Sequence, residues 1–138
     1  MAKKIKSKII MIPLPPLLFA LILSITDGDT IQAKVAIWPH QTVEIAVRLA
    51  GIDTPELHGK CSREKKLAQE AKSSLIRLLP LQTLVELRSI KEDKYGGRIV
   101  ADVRTISGVD VAGYLLKIGL AHTYSGDKKL SWCVRVKN

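Results

Sequence analysis

Acidic residues stand at two places where the chain turns away from a predicted strand. Asp27 and Asp29 flank Gly28 directly after an apolar stretch, and Asp53 and Glu56 follow a strand further along the chain. Carboxylates in such positions can converge on a hard cation, which prefers oxygen ligands. Asp and Gly are also the commonest turn formers, so the first group by itself fits an ordinary turn better.

Two arginines add a second kind of chemistry to these carboxylates. Arg48 lies on a predicted strand whose neighbouring positions Val47 and Leu49 are apolar, so it need not enter the main core. A guanidinium beside carboxylates is either a structural ion pair or a phosphate clamp. With Arg98 included, the set matches phosphodiester hydrolysis, in which a metal neutralises phosphate, a carboxylate activates water and arginines stabilise the transition state.

Strands and a hairpin are predicted to position these residues. Apolar and polar residues alternate over 30–38 and 43–49, which predicts two half-buried strands that are antiparallel neighbours. Two more strands are predicted over 84–90 and 98–105. The hairpin over 91–97 joins them, and its paired glycines allow the positive φ values of a tight turn.

Two helices complete the predicted order of elements. The first is predicted to begin at Ser62 as N-cap and to end at Pro80, and the second to span 109–118 and to close at Gly119. Five short strands with a helix inserted after the third is the order of an oligonucleotide-binding (OB-fold) barrel. We therefore predict an α+β fold, a five-stranded OB-fold β-barrel with an inserted helix and a second short helix. Periodicity alone leaves other α+β folds open.

The charge balance favours a polyanionic partner. Lysine and arginine number 22 against 13 acidic residues, which gives a net charge of +9. The chain stays basic when the four lysines of its first eight residues are set aside. Long-range attraction to nucleic acid is one consequence of such a charge, and ordinary solubility is the other.

The N-terminal segment allows several interpretations. A basic run precedes an uncharged stretch over 9–26, which is how a signal peptide or a short membrane anchor begins. Three prolines within that stretch weaken a membrane helix. Alternatively, 17–26 forms the first strand. We therefore divide the chain into a leader over 1–16, which is a signal, an anchor or disordered, and a domain over 17–138.

Three segments resemble signature segments of the staphylococcal nuclease-like (thermonuclease) family. They read Asp-Gly-Asp-Thr over 27–30, Arg-Leu-Ala-Gly-Ile-Asp-Thr-Pro-Glu over 48–56, and Asp-Lys-Tyr-Gly-Gly-Arg over 93–98. The second is the most specific, and the first is weak alone. The resemblance covers residues from about 17 to about 124.

The resemblance implies a calcium site and a general base. The metal ligands of the family fall on the carboxylates of Asp29 and Asp53 and on the backbone carbonyl of Thr54. The carboxylate that activates the attacking water falls on Glu56. Calcium is thus the implied cofactor.

The resemblance also implies a phosphate grip and a nucleotide-binding surface. The two phosphate-binding arginines fall on Arg48 and Arg98, Lys94 and Tyr95 are placed beside the nucleotide, and Tyr124 near its 5′ side. The family usually has one glycine before the second arginine, whereas two stand here. The assignment of Arg98 therefore assumes that the extra glycine lengthens the hairpin.

Cys61 and Cys133 lack the spacing of a zinc site, and by themselves leave a disulfide and two free thiols open. The Ser-Trp-Cys segment over 131–133 resembles a variant of the same family, which implies a disulfide between Cys61 and Cys133.

The expected function is a calcium-dependent endonuclease that hydrolyses DNA and RNA with little sequence specificity and leaves 3′-phosphate ends. The alternatives are a catalytically weak nucleic-acid-binding OB-fold module and a membrane-anchored envelope protein. We expect a monomer with DNA and RNA as substrates, weak membrane association through the N-terminus, and a secreted or cell-envelope location, with the cytoplasm as the alternative.

Overall fold

Five strands form a closed barrel in the computed structural model, which describes residues 14–94 and 96–133. The strand order around the barrel is β1-β2-β3-β6-β5, and two helices accompany it. The predicted α+β class with a five-stranded OB-fold barrel and two helices is therefore confirmed. In chain order the elements are β1 (Leu17–Asp27), β2 (Thr30–Trp38), β3 (Gln41–Leu49), β4 (Ile52–Asp53), α1 (Ser62–Leu78), β5 (Leu84–Glu92), β6 (Arg98–Thr105), α2 (Val111–Lys117) and β7 (His122–Thr123).

Antiparallel ladders join β1 to β2, β2 to β3, β5 to β6, and β1 to β5. The parallel pairing of β3 with β6 closes the barrel, with Ala46 opposite Arg98 and Leu49 opposite Ala101. The inward-facing side chains alternate along each strand, as the sequence pattern predicts. Ile22, Ile31 and Val47 are fully buried in this core.

Helix α1 covers the barrel beside β1 through Ala71 and Leu75, which are fully buried. Its end before Pro80 agrees with the prediction, because the C-cap is Leu79. The prediction of Ser62 as N-cap is wrong. Cys61 occupies that position in extended conformation, and its sulfur accepts a hydrogen bond from Glu64 N at 3.4 Å.

The glycines of the β5–β6 connection adopt the predicted backbone conformation. Gly96 and Gly97 have φ values of 76° and 74°, which a residue with a side chain rarely adopts. The hydrogen bond from Asp93 N to Arg98 O, at 3.1 Å, closes the connection. The extra glycine therefore fits within the turn, and β6 begins at Arg98.

Beyond α2 the chain forms the two-residue strand β7, which pairs with β4, and then an irregular segment. Neither short strand was predicted, because two residues carry no periodicity. Residues 125–133, here called the strap, run from β7 to a disulfide between Cys133 and Cys61.

Some predictions fall outside the described residues. Only 14–16 of the proposed leader are described, so residues 1–13 are not covered, and neither is Tyr95. Within the described part, no helix is long and apolar enough to cross a membrane.

Candidate active site

The turn between β1 and β2 is pressed against the segment after β4. A side chain in place of Gly28 would bring its Cβ within 2.8 Å of Ala71 Cβ and 3.0 Å of Thr54 Oγ1. Gly28 is therefore required for close packing, whereas the sequence suggested a tight bend. The consequence is that Asp27 and Asp29 lie beside the segment that carries Asp53.

Asp29 is buried and held by polar contacts. Thr30 Oγ1 donates to its Oδ1 at 3.0 Å, and Arg48 Nη2 lies 3.4 Å from its Oδ2. Its backbone oxygen accepts from Leu49 N at 2.8 Å, which joins the β1–β2 turn to the end of β3. One oxygen of Asp29 thus faces the guanidinium of Arg48.

Arg48 is fixed by the chain around it. Its Nη1 donates to Leu49 O at 3.1 Å and its Nη2 to Ile52 O at 3.0 Å. Its side chain is only 13% exposed. These bonds hold the guanidinium at the boundary between the carboxylates and an open cavity, so it serves as both a structural ion pair and a candidate phosphate ligand.

Asp53 is the most buried of the carboxylates, with 3% of the residue exposed. Trp132 Nε1 donates to Oδ2 at 3.3 Å, whereas Oδ1 has no hydrogen-bond partner among the described residues. Its nearest positive group is Lys129 Nζ at 3.4 Å. Thr54, which follows, is 2% exposed.

The oxygen atoms of Asp29, Asp53 and Thr54 are of the kind that calcium takes as ligands. Asp29 and Asp53 offer carboxylate oxygens beside buried Thr54, and calcium takes oxygen ligands. The partnerless Oδ1 of Asp53 is the atom that a cation would satisfy. In the part of the chain described, however, no group of three or more His, Cys, Asp or Glu side chains is gathered at metal-binding spacing. Any cation would therefore need backbone oxygen or water as further ligands.

Glu56 lies close to the negative charges of Asp29 and Asp53. Burial and the charge of Asp29 raise the pKa of the Glu56 carboxyl, with smaller contributions from Asp53 and Glu64, while the ammonium of Lys129 lowers it. A carboxyl with a raised pKa is a better proton acceptor at neutral pH than an ordinary one.

The carboxylate of Glu64 on α1 holds the loop that carries Glu56 through hydrogen bonds. Its two oxygens accept from Glu56 N and Lys60 N, both at 3.0 Å. A Cβ at Gly59 would lie 2.5 Å from the Glu64 side chain, so the loop closes tightly over this carboxylate. The sequence places Glu64 near the start of α1 and gives no signal of these two contacts.

Asp27 is a further carboxylate of this cluster. Burial first, and then the charge of Asp29, raise the pKa of Asp27 to about 6. Its Oδ1 accepts from Asp29 N at 3.1 Å. The sequence placed Asp27 among the carboxylates that could converge on a cation, but the family resemblance assigned it no role.

A cavity of about 640 Å³ opens on the other side of Arg48. Arg98, Lys94 and Tyr124 line it together with Arg48, so the structure brings these four predicted residues to one surface. The Arg98 guanidinium is anchored by Asp93 Oδ2 at 3.1 Å. The Tyr124 ring lies 5.8 Å from the Arg48 guanidinium carbon.

A smaller cavity of about 230 Å³ lies over the carboxylates. Asp53 and Glu56 line it from one side, and Lys129 and Trp132 from the strap. The contributions of Lys129 and Trp132 were missed because they depend on how the strap crosses the surface. The only signal of that path was the pair of cysteines.

Comparison with known proteins identifies the family of the chain. Residues 46–132 match the family model described as staphylococcal nuclease homologue. The chain belongs to this family. The matched residues run from β3 to the strap and include Arg48, Glu56 and Arg98, so most of the candidate site lies in the part that defines a staphylococcal nuclease homologue.

The chain is also similar to a protein of Leptosphaeria maculans named probable endonuclease LCL3. The two are 33% identical over 90 residues, which is 63% of this chain and 30% of that protein. This staphylococcal nuclease homologue thus spans less than a third of the relative's length.

Proposed function

We propose that the chain is a calcium-dependent endonuclease that hydrolyses phosphodiester bonds of DNA and RNA with little sequence specificity. The observation that carries this proposal is that two surfaces, one acidic and one lined by basic residues, meet at the side chain of Arg48. On one side lie the carboxylates of Asp29, Asp53 and Glu56, and on the other an open cavity lined by Arg98. Phosphodiester hydrolysis needs both at one point. The name of the relative, a probable endonuclease, supports the same class of reaction.

Asp29, Asp53 and the backbone of Thr54 would hold the calcium ion. When bound, the ion supplies positive charge that neutralises the phosphate and orients it. The low exposure of both carboxylates favours an ion over water, because each buried negative charge requires compensation.

The side chains of the chain account for the remaining steps. Glu56 accepts a proton from a water molecule, and the oxygen of that water forms a bond to phosphorus. The bond from phosphorus to the 5′ oxygen breaks, the 5′ oxygen takes up a proton from solvent and leaves as a hydroxyl, and the phosphate stays on the 3′ side. Arg48 and Arg98 bind the phosphate oxygens, whose charge grows in the transition state.

Few features of the cavity would read bases. Lysine, arginine and tyrosine contact phosphates, sugars and base faces in any sequence. The cavity is open and is lined by Arg48, Lys94 and Arg98 beside Tyr124, and this lining supports low sequence specificity and the use of both DNA and RNA.

The decisive experiment uses plasmid DNA and a single-stranded RNA, each incubated with purified protein in calcium and then in chelator. Cleavage in calcium that stops in chelator is expected. Products should resist polymerase extension until a phosphatase removes the 3′-phosphate. Cleavage that continues unchanged in chelator contradicts the calcium requirement, and products extended without phosphatase contradict the polarity.

Asp29→Ala and Asp53→Ala should each abolish cleavage and weaken calcium binding while the barrel remains folded. The matched control is Glu70→Gln, which removes a negative charge on the exposed face of α1. Retained DNA binding without any cleavage by the unmodified protein would favour a nucleic-acid-binding module instead.

A further inference from the structure

The strap crosses the candidate metal site and is fixed at both ends. At its start, Tyr124 N donates to Gly51 O at 2.9 Å, which extends the β4–β7 pairing. At its end, Cys133 is bonded to Cys61 at the N-cap of α1. Directly before that cysteine, Trp132 stacks on His122 with a centroid distance of 3.7 Å. The strap therefore has little freedom to move away from the carboxylates.

Lys129 is the strap residue that reaches the carboxylates. Its Nζ lies 3.4 Å from Asp53 Oδ1 and 5.4 Å from the ring centroid of Tyr124. Asp53 Oδ1 is the buried oxygen that lacks a hydrogen-bond partner within the described structure. The ammonium is thus the group that compensates this oxygen.

Lys129 also lines both cavities, the one with the arginines and the one over the carboxylates. Its side chain remains 47% exposed, so the ammonium can withdraw into solvent without unfolding the strap. A group with this placement can leave Asp53 when another cation arrives.

We propose that Lys129 is an internal cation that competes with the divalent metal for Asp53, so that the disulfide-bound strap sets the metal affinity of the site. This inference rests on the proposed function, because it takes Asp53 as a metal ligand. The metal must displace the ammonium from Oδ1. The disulfide keeps the ammonium at high local concentration near that oxygen, as a short tether does for any linked ligand.

The test is isothermal titration of calcium into the full, oxidised chain after treatment with chelator. Lys129→Met keeps the length of the side chain and removes its charge. Lys128→Met is the matched control, since Lys128 is an exposed strap residue and its loss changes the net charge equally. We expect Lys129→Met to bind calcium about fivefold more tightly than Lys128→Met, the size of a partly screened charge pair.

Removal of the disulfide provides a second, independent test of the proposal. Cys133→Ser, measured with reductant, should also tighten calcium binding, because the ammonium is then less confined. Adding Lys129→Met to Cys133→Ser should give little further gain, since both changes remove the same competitor. Circular dichroism in chelator checks that each variant is folded.

Three outcomes overturn the inference. Equal calcium affinity of Lys129→Met and Lys128→Met shows that only net charge matters, and leaves the proposed function standing. Weaker binding by Lys129→Met shows that the lysine positions Asp53 and does not compete. Absence of calcium binding in the unmodified protein and all variants removes the metal from the proposed function, and this inference with it.

Discussion

Glu56 is exposed and stands on a loop whose backbone is held by a hydrogen bond from Glu56 N to the Glu64 carboxylate. General-base help is worth roughly 10²–10⁴ in rate, so Glu56→Gln should lower kcat by about that range with little change in KM. Glutamine keeps the backbone hydrogen bond that Glu56 N donates to Glu64. The measurement is cleavage of a short labelled oligonucleotide across pH, and an unchanged rate and pH profile would place water activation elsewhere.

Arg48 and Arg98 differ in what they hold besides the candidate phosphate. Arg48 also donates to two backbone oxygens, whereas Arg98 is anchored by one carboxylate. Lysine keeps the charge but not the planar fork, so Arg48→Lys and Arg98→Lys should each lower kcat more than DNA affinity.

The matched control for this pair is Arg88→Lys, on the exposed side of β5 beside Glu86. It should leave cleavage unchanged. If Arg98→Lys also leaves kcat unchanged while Arg48→Lys does not, the second glycine has moved Arg98 away from the phosphate. Insensitivity at both positions would favour the binding-module alternative.

Asp27 is expected to make the stability of the fold depend on pH. Its pKa is raised to about 6 in the fold from an ordinary 3.8, so the folded state binds this proton more tightly than the unfolded state. Stability from this group is therefore present at low pH and is lost as pH rises from about 4 to about 6.

Asp27→Asn keeps the oxygen that accepts from Asp29 N and removes the charge. In chelator at pH 7 it should raise the free energy of unfolding by about 1–2 kcal/mol, a value reduced for solvent screening. The gain should vanish near pH 4. Urea unfolding at both pH values measures it, with Glu70→Gln as the control, and a gain independent of pH would contradict this account.

At the scale of elements, the strap depends on the disulfide more than the barrel does. The cysteines are 72 residues apart in sequence, so their bond restricts a large part of the unfolded chain. Cys133→Ser in reductant should lower the free energy of unfolding by about 2–4 kcal/mol. Urea unfolding of the oxidised and reduced unmodified protein provides the control, because reduction should reproduce the loss. A difference below about 1 kcal/mol would show that the unfolded chain is not restricted by this bond.

The other four barrel strands and both helices could be predicted because each carries its own periodicity or punctuation, whereas β1 was only one of the interpretations of the uncharged stretch over 9–26. The paired glycines before Arg98 predicted a turn with positive φ values, and the structure contains this turn. The short β4–β7 pair, the N-cap at Cys61 and the placement of Lys129 could not be predicted. Each depends on contacts between segments far apart in sequence, for which a local pattern contains no information.

The residue types of the candidate site could be predicted from the sequence, whereas their spatial arrangement could be predicted only in part. The signature segments indicated Asp29, Asp53 and Arg48, and the structure brings Arg48 to Asp29. The participation of Asp27, Glu64 and Trp132 arises from burial, which a sequence shows only indirectly.

On the scale of the whole molecule, a chain with a net charge of +9 contains a candidate site that is rich in carboxylates. The basic surface would attract nucleic acid at a distance, and the carboxylates would repel it at contact unless a cation is bound. This separation explains why binding and cleavage should respond differently to chelator and to salt.

The parallel pair of β3 and β6 has a kinetic consequence. It joins parts of the chain that are separated by all of α1 and β5, and the β1–β5 ladder also joins distant segments, whereas β1–β2, β2–β3 and β5–β6 form between neighbours. Contacts between distant segments form late in folding, because the intervening chain must first lose its freedom. Arg48 and Arg98 lie on the two strands of this pair, so the two candidate phosphate ligands come together only once this long-range pairing has formed. A half-folded chain would therefore contain both arginines without the arrangement that the proposed function requires.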